Sequence, residues 1–211
     1  MAIVIDGSAN TIAGLAVGGL PDGSVDTDTL AANAVATAKI ADDAVTAAKS
    51  TISPGITHLE TWLLTSSKNW SGTNTFTDLV RTTNADFGNF GAAMTMDGST
   101  GIFTFPTTGI WHIHYQALVH DSVPNAYSWI WIDKTTDNGS NWSTLGESSN
   151  SIPDDGDNTV HGSPQMDVTF DVQNTTNYKV VFKIANEQGA VIGAGSSTLK
   201  TGIIFTRIGD T

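Results

Sequence analysis

The sequence predicts an all-β fold for residues 57–211, preceded by an extended arm over residues 1–56. Three observations support this division. Apolar and polar residues alternate with period two in seven segments, which are separated by turn-forming residues. No amphipathic helical pattern of about ten residues or more occurs between these segments. All aromatic residues lie between Trp62 and Phe205, so the arm has none with which to build a core.

The seven predicted strands are all bounded by clusters of Gly, Asn, Asp, Ser or Pro. In chain order they are THLETWLLTS (57–66), GIFTF (101–105), IWHIHYQALV (110–119), YSWIWIDK (127–134), QMDVTFDV (165–172), YKVVFKIA (178–185) and TGIIFTRI (201–208). The third is the clearest, because Trp111, Ile113 and Tyr115 would face a core and leave His112 and His114 on the other face. Seven strands of this length favour a sandwich with jelly-roll topology.

Composition disfavours several classes of partner. The net charge of −12 and the absence of a basic cluster argue against nucleic acid and against anionic membranes. With no cysteine, the chain has neither disulfides nor thiolate metal ligands. Its N-terminal MAIVIDGSAN lacks the basic region of a signal peptide, and no apolar run is long enough for membrane insertion. We therefore expect synthesis in a cytoplasm.

The arm carries an apolar residue at every fifth position. The members of this five-residue ladder are Leu15, Leu20, Val25, Leu30, Val35, Ile40 and Val45. On a helix, side chains five residues apart point about 140° away from each other. On a strand, side chains at an odd spacing point to opposite faces, so neither element would bury the whole ladder on one side. A chain that turns in each repeat could direct it at an axis shared by identical chains. The pattern therefore predicts a strand-and-turn thread in a multi-chain assembly, with three chains favoured.

Two alternatives for the arm stay open. Residues 28–49 are rich in Ala, Thr29 could cap one helix and Asp42–Asp43 could start another, which would give a helical hairpin. The composition also fits a disordered linker.

The stretch GIFTFPTTGIWHIHYQA (101–117) resembles the signature of the tumour-necrosis-factor and complement-q superfamily. In that signature, a strand ending in aromatic-x-aromatic-Pro is followed by a Gly turn and an alternating aromatic strand. NYKVVFKI (177–184) and TGIIFTRI (201–208) are similar to the penultimate and closing strands of the family. The resemblance implies a jelly-roll head that packs as a tight homotrimer, with aromatic residues along its threefold axis.

The arm has a resemblance of its own. Its repeats, including AKIADDAVTAAK (38–49), are similar to the repeated arms of phage fibre and virion-appendage proteins. This resemblance implies a homotrimeric head fibre or capsid-decoration protein of the virion, whose arm docks on the major capsid protein or the tail. The alternatives are a tail fibre that attaches to host surface glycans and a free complement-q-like lectin.

No catalytic, cofactor or metal site is expected. His112 and His114 match a cupin ligand pair, but Leu118 stands where the cupin glutamate would follow, so surface or interface histidines are the preferred interpretation. His120 and Asp121 have no accompanying GxSxG nucleophile elbow. The sequence therefore predicts a protein that is not an enzyme.

Two loops invite ligand hypotheses. TTDNGSNW (135–142) resembles the Asp-box, which closes a β-hairpin, and Asn138–Gly139 suits a tight turn with positive φ. A structural role is preferred for this loop, with a glycan contact through Trp142 as the alternative. DDGD (154–157) could hold calcium, but a solvated acidic loop is preferred.

The ladder and the family resemblance together predict a homotrimer. Sedimentation equilibrium of the purified chain should give about three times its mass of 22.1 kDa. A stable monomer at micromolar concentration would contradict the shared axis on which the ladder interpretation depends.

Overall fold

A computed structural model describes the backbone of two short strands in the arm, residue 40 and most of the remaining chain, namely residues 55–121, 125–153 and 159–211. The chain divides into two compact units, Met1–Ile52 and Ser53–Thr211. The predicted boundary between residues 56 and 57 stays a prediction, because residues 51–54 lie outside the described part.

In the first unit, β1 (Val4–Asp6) pairs with β2 (Thr11–Ala13) in antiparallel register, with Ile5 opposite Ile12. Ile40 is the one ladder residue within the described part, and its side chain is 41% exposed in the single chain. The other six ladder residues, like the acidic loop 154–157, lie outside the described residues. The five-residue seam stays a prediction.

The second unit is built almost entirely of strands. They are β3 (His58–Leu64), β4 (Lys68–Thr75), β5 (Leu79–Arg81), β6 (Thr95–Met96), β7 (Phe103–Thr104), β8 (Gly109–Gln116), β9 (Val119–Asp121), β10 (Asn125–Thr135), β11 (Ser143–Ile152), β12 (Val160–Gly162), β13 (Gln165–Val172), β14 (Lys179–Ile192) and β15 (Gly202–Gly209). A single 3-10 turn, Ala85–Phe87, interrupts the strands of this described region. The all-β prediction is confirmed, and each of the seven predicted segments contains a strand.

Two antiparallel sheets form a sandwich. The smaller sheet has the order β13-β8-β15-β3-β5. The larger sheet has the order β11-β10-β14-β7-β6, while β4 and β9 also pair with β14, and β12 pairs with β9. At 14 residues, β14 is long enough to pair with β10, β4, β7 and β9 along its length. It is the central strand of the larger sheet.

Aromatic rings join the two sheets. The ring of Phe103 in the larger sheet lies 5.0 Å from that of Trp62 and 5.3 Å from that of Phe205, both in the smaller sheet. Phe182 on β14 also contacts Phe205, at 5.7 Å. All four side chains are buried, because the strand alternation turns them towards the opposite sheet.

The core also encloses one carboxylate. Glu60 is fully buried, and its oxygens accept hydrogen bonds from the Trp62 indole and the Arg81 guanidinium, both at 2.7 Å, and from the Met94 amide at 3.1 Å. A buried charge is tolerated when it is paired and hydrogen-bonded in this way. Burial lowers the pKa of His58, whose ring lies 3.7 Å from the same carboxylate, against the opposing effect of that charge.

Removing the central ring should weaken the sandwich strongly. Phe103→Ala deletes contacts to both sheets and should lower the free energy of unfolding by about 3–5 kcal/mol, as measured by urea denaturation. The control is Trp129→Ala, which removes a ring that is 41% exposed and should cost about 1 kcal/mol or less. Equal losses in the two variants would contradict the central role of Phe103.

Candidate functional site

Three aromatic side chains line the outer face of the larger sheet. Alternate positions of β10 are occupied by Tyr127, Trp129 and Trp131. Ile130 and Ile132, on the opposite face of the same strand, are buried in the core. Tyr127 and Trp129 are each 41% exposed, which is unusual for large aromatic side chains. The two indole rings lie 5.8 Å apart, with 54° between their planes.

These rings form one wall of a groove of about 830 Å³. That volume is in the range of small-molecule sites in proteins. The remaining lining residues are mostly hydroxyl-bearing and come from β4, β11 and β14: Thr73, Thr144, Glu147, Ser148, Ser149 and Ala185. Since every wall is a strand, the groove belongs to the rigid part of the fold.

Strand register explains the shape of the groove. Trp129 is paired with Ala185 on one side and with Ser149 on the other. Both neighbours are small, so the large ring stands above them and leaves open space beside it. Trp131 is paired with Glu147, which places a carboxylate in the row next to the second indole.

A polar cluster fixes Trp131. Its indole N–H donates to Asp133 Oδ2 at 3.3 Å, and Lys183 Nζ donates to the same oxygen at 2.8 Å. Thr144 Oγ1 donates to the other carboxylate oxygen at 3.0 Å. The only polar group of the indole is therefore engaged with the protein, so Trp131 contributes apolar surface to the groove.

The groove thus combines exposed rings with hydroxyls and a carboxylate. Aromatic faces pack against apolar C–H surfaces, and the hydroxyls and carboxylate can exchange hydrogen bonds with a polyhydroxylated ligand. The described lining residues offer one carboxylate, whereas acid–base hydrolysis of a glycosidic bond uses a pair. Its chemistry suits the binding of a sugar chain.

Solved structures share the fold. Murine APRIL at pH 5.0 matches with a TM-score of 0.53 and 14% identity, covering 72% of this chain and 98% of that one. Eiger TNF from S. frugiperda matches with a TM-score of 0.58 and 11% identity, covering 74% and 95%. The second unit is a tumour-necrosis-factor-like jelly roll. No protein-family model and no curated protein sequence matches the chain.

The groove of the jelly roll does not include the tryptophan singled out from the sequence. Trp142 lies in the turn between β10 and β11, where its indole N–H donates to the Gly139 carbonyl at 3.1 Å. Asn138 and Gly139 have φ values of 59° and 90°, as the tight-turn prediction required. Trp142 therefore closes the hairpin, and Trp129 and Trp131 are the better candidates for a glycan contact.

Sequence reasoning located β10 but missed its exposed rings. YSWIWIDK carries large apolar residues on both faces, so alternation alone could not say which face points outward. One signal was available, because the indoles and the phenol share one face while the aliphatic Ile130 and Ile132 share the other. Aromatic rings with a polar atom occur more often at partly exposed positions than isoleucine does.

The two histidines of β8 lie on the outer face of the smaller sheet, as predicted. His112 Nε2 and His114 Nδ1 are each 3.1 Å from the same oxygen of Asp167 on β13. His114 Nε2 also lies 3.2 Å from Gln116 Oε1.

Within residues 55–121, 125–153 and 159–211, no group of three or more acidic, His or Cys side chains is arranged to hold a metal ion. In the same described residues, no helix is long and apolar enough to span a bilayer.

The hairpin turn depends on one carboxylate. Asp137 accepts hydrogen bonds from the Thr135 hydroxyl at 2.7 Å, and from the Asn141 amide and side chain at 2.9 and 2.7 Å. These bonds, the Thr135 bond first, lower the pKa of Asp137 from 3.8 to about 2. The ionised form is thus preferred in the folded chain.

This shift predicts an acid-dependent contribution to stability. Because the folded pKa is depressed, the Asp137 contribution is complete above pH 3.8 and is lost as the pH falls through about 2. The difference in melting temperature between the wild type and Asp137→Asn should be constant near neutral pH and shrink across that acid range. A difference in melting temperature that does not change with pH would contradict the assignment.

Proposed function

We propose that this chain is a non-enzymatic attachment protein of a virus particle, a homotrimer whose head binds host surface glycans through the outer groove. The arm of residues 1–56 docks on another virion protein, either the major capsid protein or a tail component. The chain is made in the host cytoplasm and works in the virion. The observation that carries the proposal is the outward-facing row of Tyr127, Trp129 and the half-buried Trp131 beside hydroxyl-bearing residues.

The composition of the groove favours sugar over a protein partner. Protein interfaces bury aromatic anchors among other apolar side chains at their centre. Here Ala185 is the only aliphatic residue among the described lining residues, while Thr73, Thr144 and Ser149 supply hydroxyls. A pattern of rings and hydroxyls is complementary to a ligand that alternates C–H surfaces with hydroxyl groups.

The virion part of the proposal rests on the arm. The repeated segments resemble phage appendage arms, and the resemblance of the head implies three copies around one axis. A capsid-decoration protein without a receptor would need the arm and the trimer but not the groove. For this reason the attachment role is preferred to decoration alone.

Removing the central ring of the groove should abolish most glycan binding. Titration calorimetry of the full chain with maltohexaose and chitohexaose should show binding of at least one. Trp129→Ala should weaken it roughly tenfold, equivalent to about 1.4 kcal/mol. The ring adds apolar contact area that alanine cannot replace.

The matched control is Phe90→Ala. Phe90 is 44% exposed and pairs with Leu59 of the smaller sheet, away from the groove lining. This variant should bind as the wild type does. Equal affinity in the Trp129→Ala variant and the wild type would remove the groove from the proposed function.

A further inference from the structure

We infer that the groove selects soluble, uncharged glycan chains and that Glu147 is its specificity-determining residue. The inference rests on the proposed function, because it concerns the ligand class of the same groove. It follows from the charge of the lining, the angle between the two indoles and the length of the aromatic row.

Charge is the first argument. Among the described lining residues, Glu147 is the one that carries a formal charge, and no Lys, Arg or His joins it. The backbone of Lys183 pairs with that of Trp131, but its ammonium donates a hydrogen bond to the Asp133 carboxylate, which neutralises its charge. An anionic ligand would meet an uncompensated carboxylate on a chain that already carries −12.

The same carboxylate favours neutral sugars. An ionised carboxylate accepts charge-assisted hydrogen bonds and can take two hydroxyl donors at once. Glu147 lies across from Trp131 in the strand register, so a sugar resting on that ring would present its hydroxyls to the carboxylate. Uronic and sialic acids would instead bring a second carboxylate to this position.

The angle between the rings is the second argument. A flat polysaccharide surface can rest on two rings only when both lie near one plane. The planes of Trp129 and Trp131 differ by 54°, partly because successive positions of a twisted strand point in different directions. The two rings therefore fit a single chain that turns from one sugar to the next.

Length is the third argument. From Tyr127 to Trp131 the strand advances four residues, or about 13 Å at 3.3 Å per residue. The groove lies beside this row and is lined there by hydroxyl-bearing residues of β11. It is suited to a stretch of linked sugars rather than to one monosaccharide.

The test compares neutral and anionic probes with matched variants. Titration calorimetry at low salt should show maltohexaose or chitohexaose binding at least about fivefold more tightly than hyaluronan hexasaccharide or oligosialic acid. Glu147→Gln keeps the shape of the side chain and removes its charge, so it should reduce this preference to roughly twofold or less. The control Asp171→Asn removes one charge on the other sheet and should leave the preference intact, and microcrystalline cellulose should not retain the protein.

The outcomes separate the two proposals. Binding of anionic probes as tightly as neutral ones, or an unchanged preference in Glu147→Gln, would overturn the charge selection and leave glycan binding standing. Retention on cellulose that is lost in Trp129→Ala would overturn the selection of soluble chains. Failure of the wild type to bind any probe would overturn the proposed function, and this inference with it.

Discussion

The contact between the rings of Phe103 and Phe205 joins the two sheets, and the rest of the head is arranged around it. Phe103 lies on the short strand β7 of the larger sheet and Phe205 on β15 of the smaller sheet, so each sheet buries its apolar face against the other. Trp62 and Phe182 extend the cluster in both directions. Because this interior is aromatic and tightly packed, the outer faces are free to carry other chemistry.

The strands with strong alternation could be predicted from the sequence, and the polar ones could not. From Trp111 to Gln116 in β8, every core residue is large and every outer residue is polar, so local pattern and tertiary position agree. In β4 and β11 most residues are Ser, Thr, Asn or Gly. The extended state of β4 comes from its pairing with β14, which is distant in sequence, and that of β11 comes from its pairing with the adjacent β10. A short polar stretch of sequence does not reveal these pairings.

The site was harder to predict than the fold for a related reason. Trp142 stood out in the sequence because it follows a recognisable turn motif, and that motif engages its indole. Trp129 and Trp131 lay inside a predicted strand, where aromatic residues are expected to be buried. The pairing of Trp129 with the small residues Ala185 and Ser149 leaves its ring exposed, and this pairing is a property of the sheet as a whole.

The alternation of β10 has an evolutionary consequence. Ser128, Ile130 and Ile132 face the interior, and Tyr127, Trp129 and Trp131 face outward from the same eleven-residue strand. Residues that determine folding and residues available for recognition therefore alternate along one stretch of chain without touching the same neighbours. Substitutions at the outward positions can change the chemistry of the outer face while leaving the interior intact. A lineage could thus remodel this surface by single amino-acid exchanges, with no need for new loops.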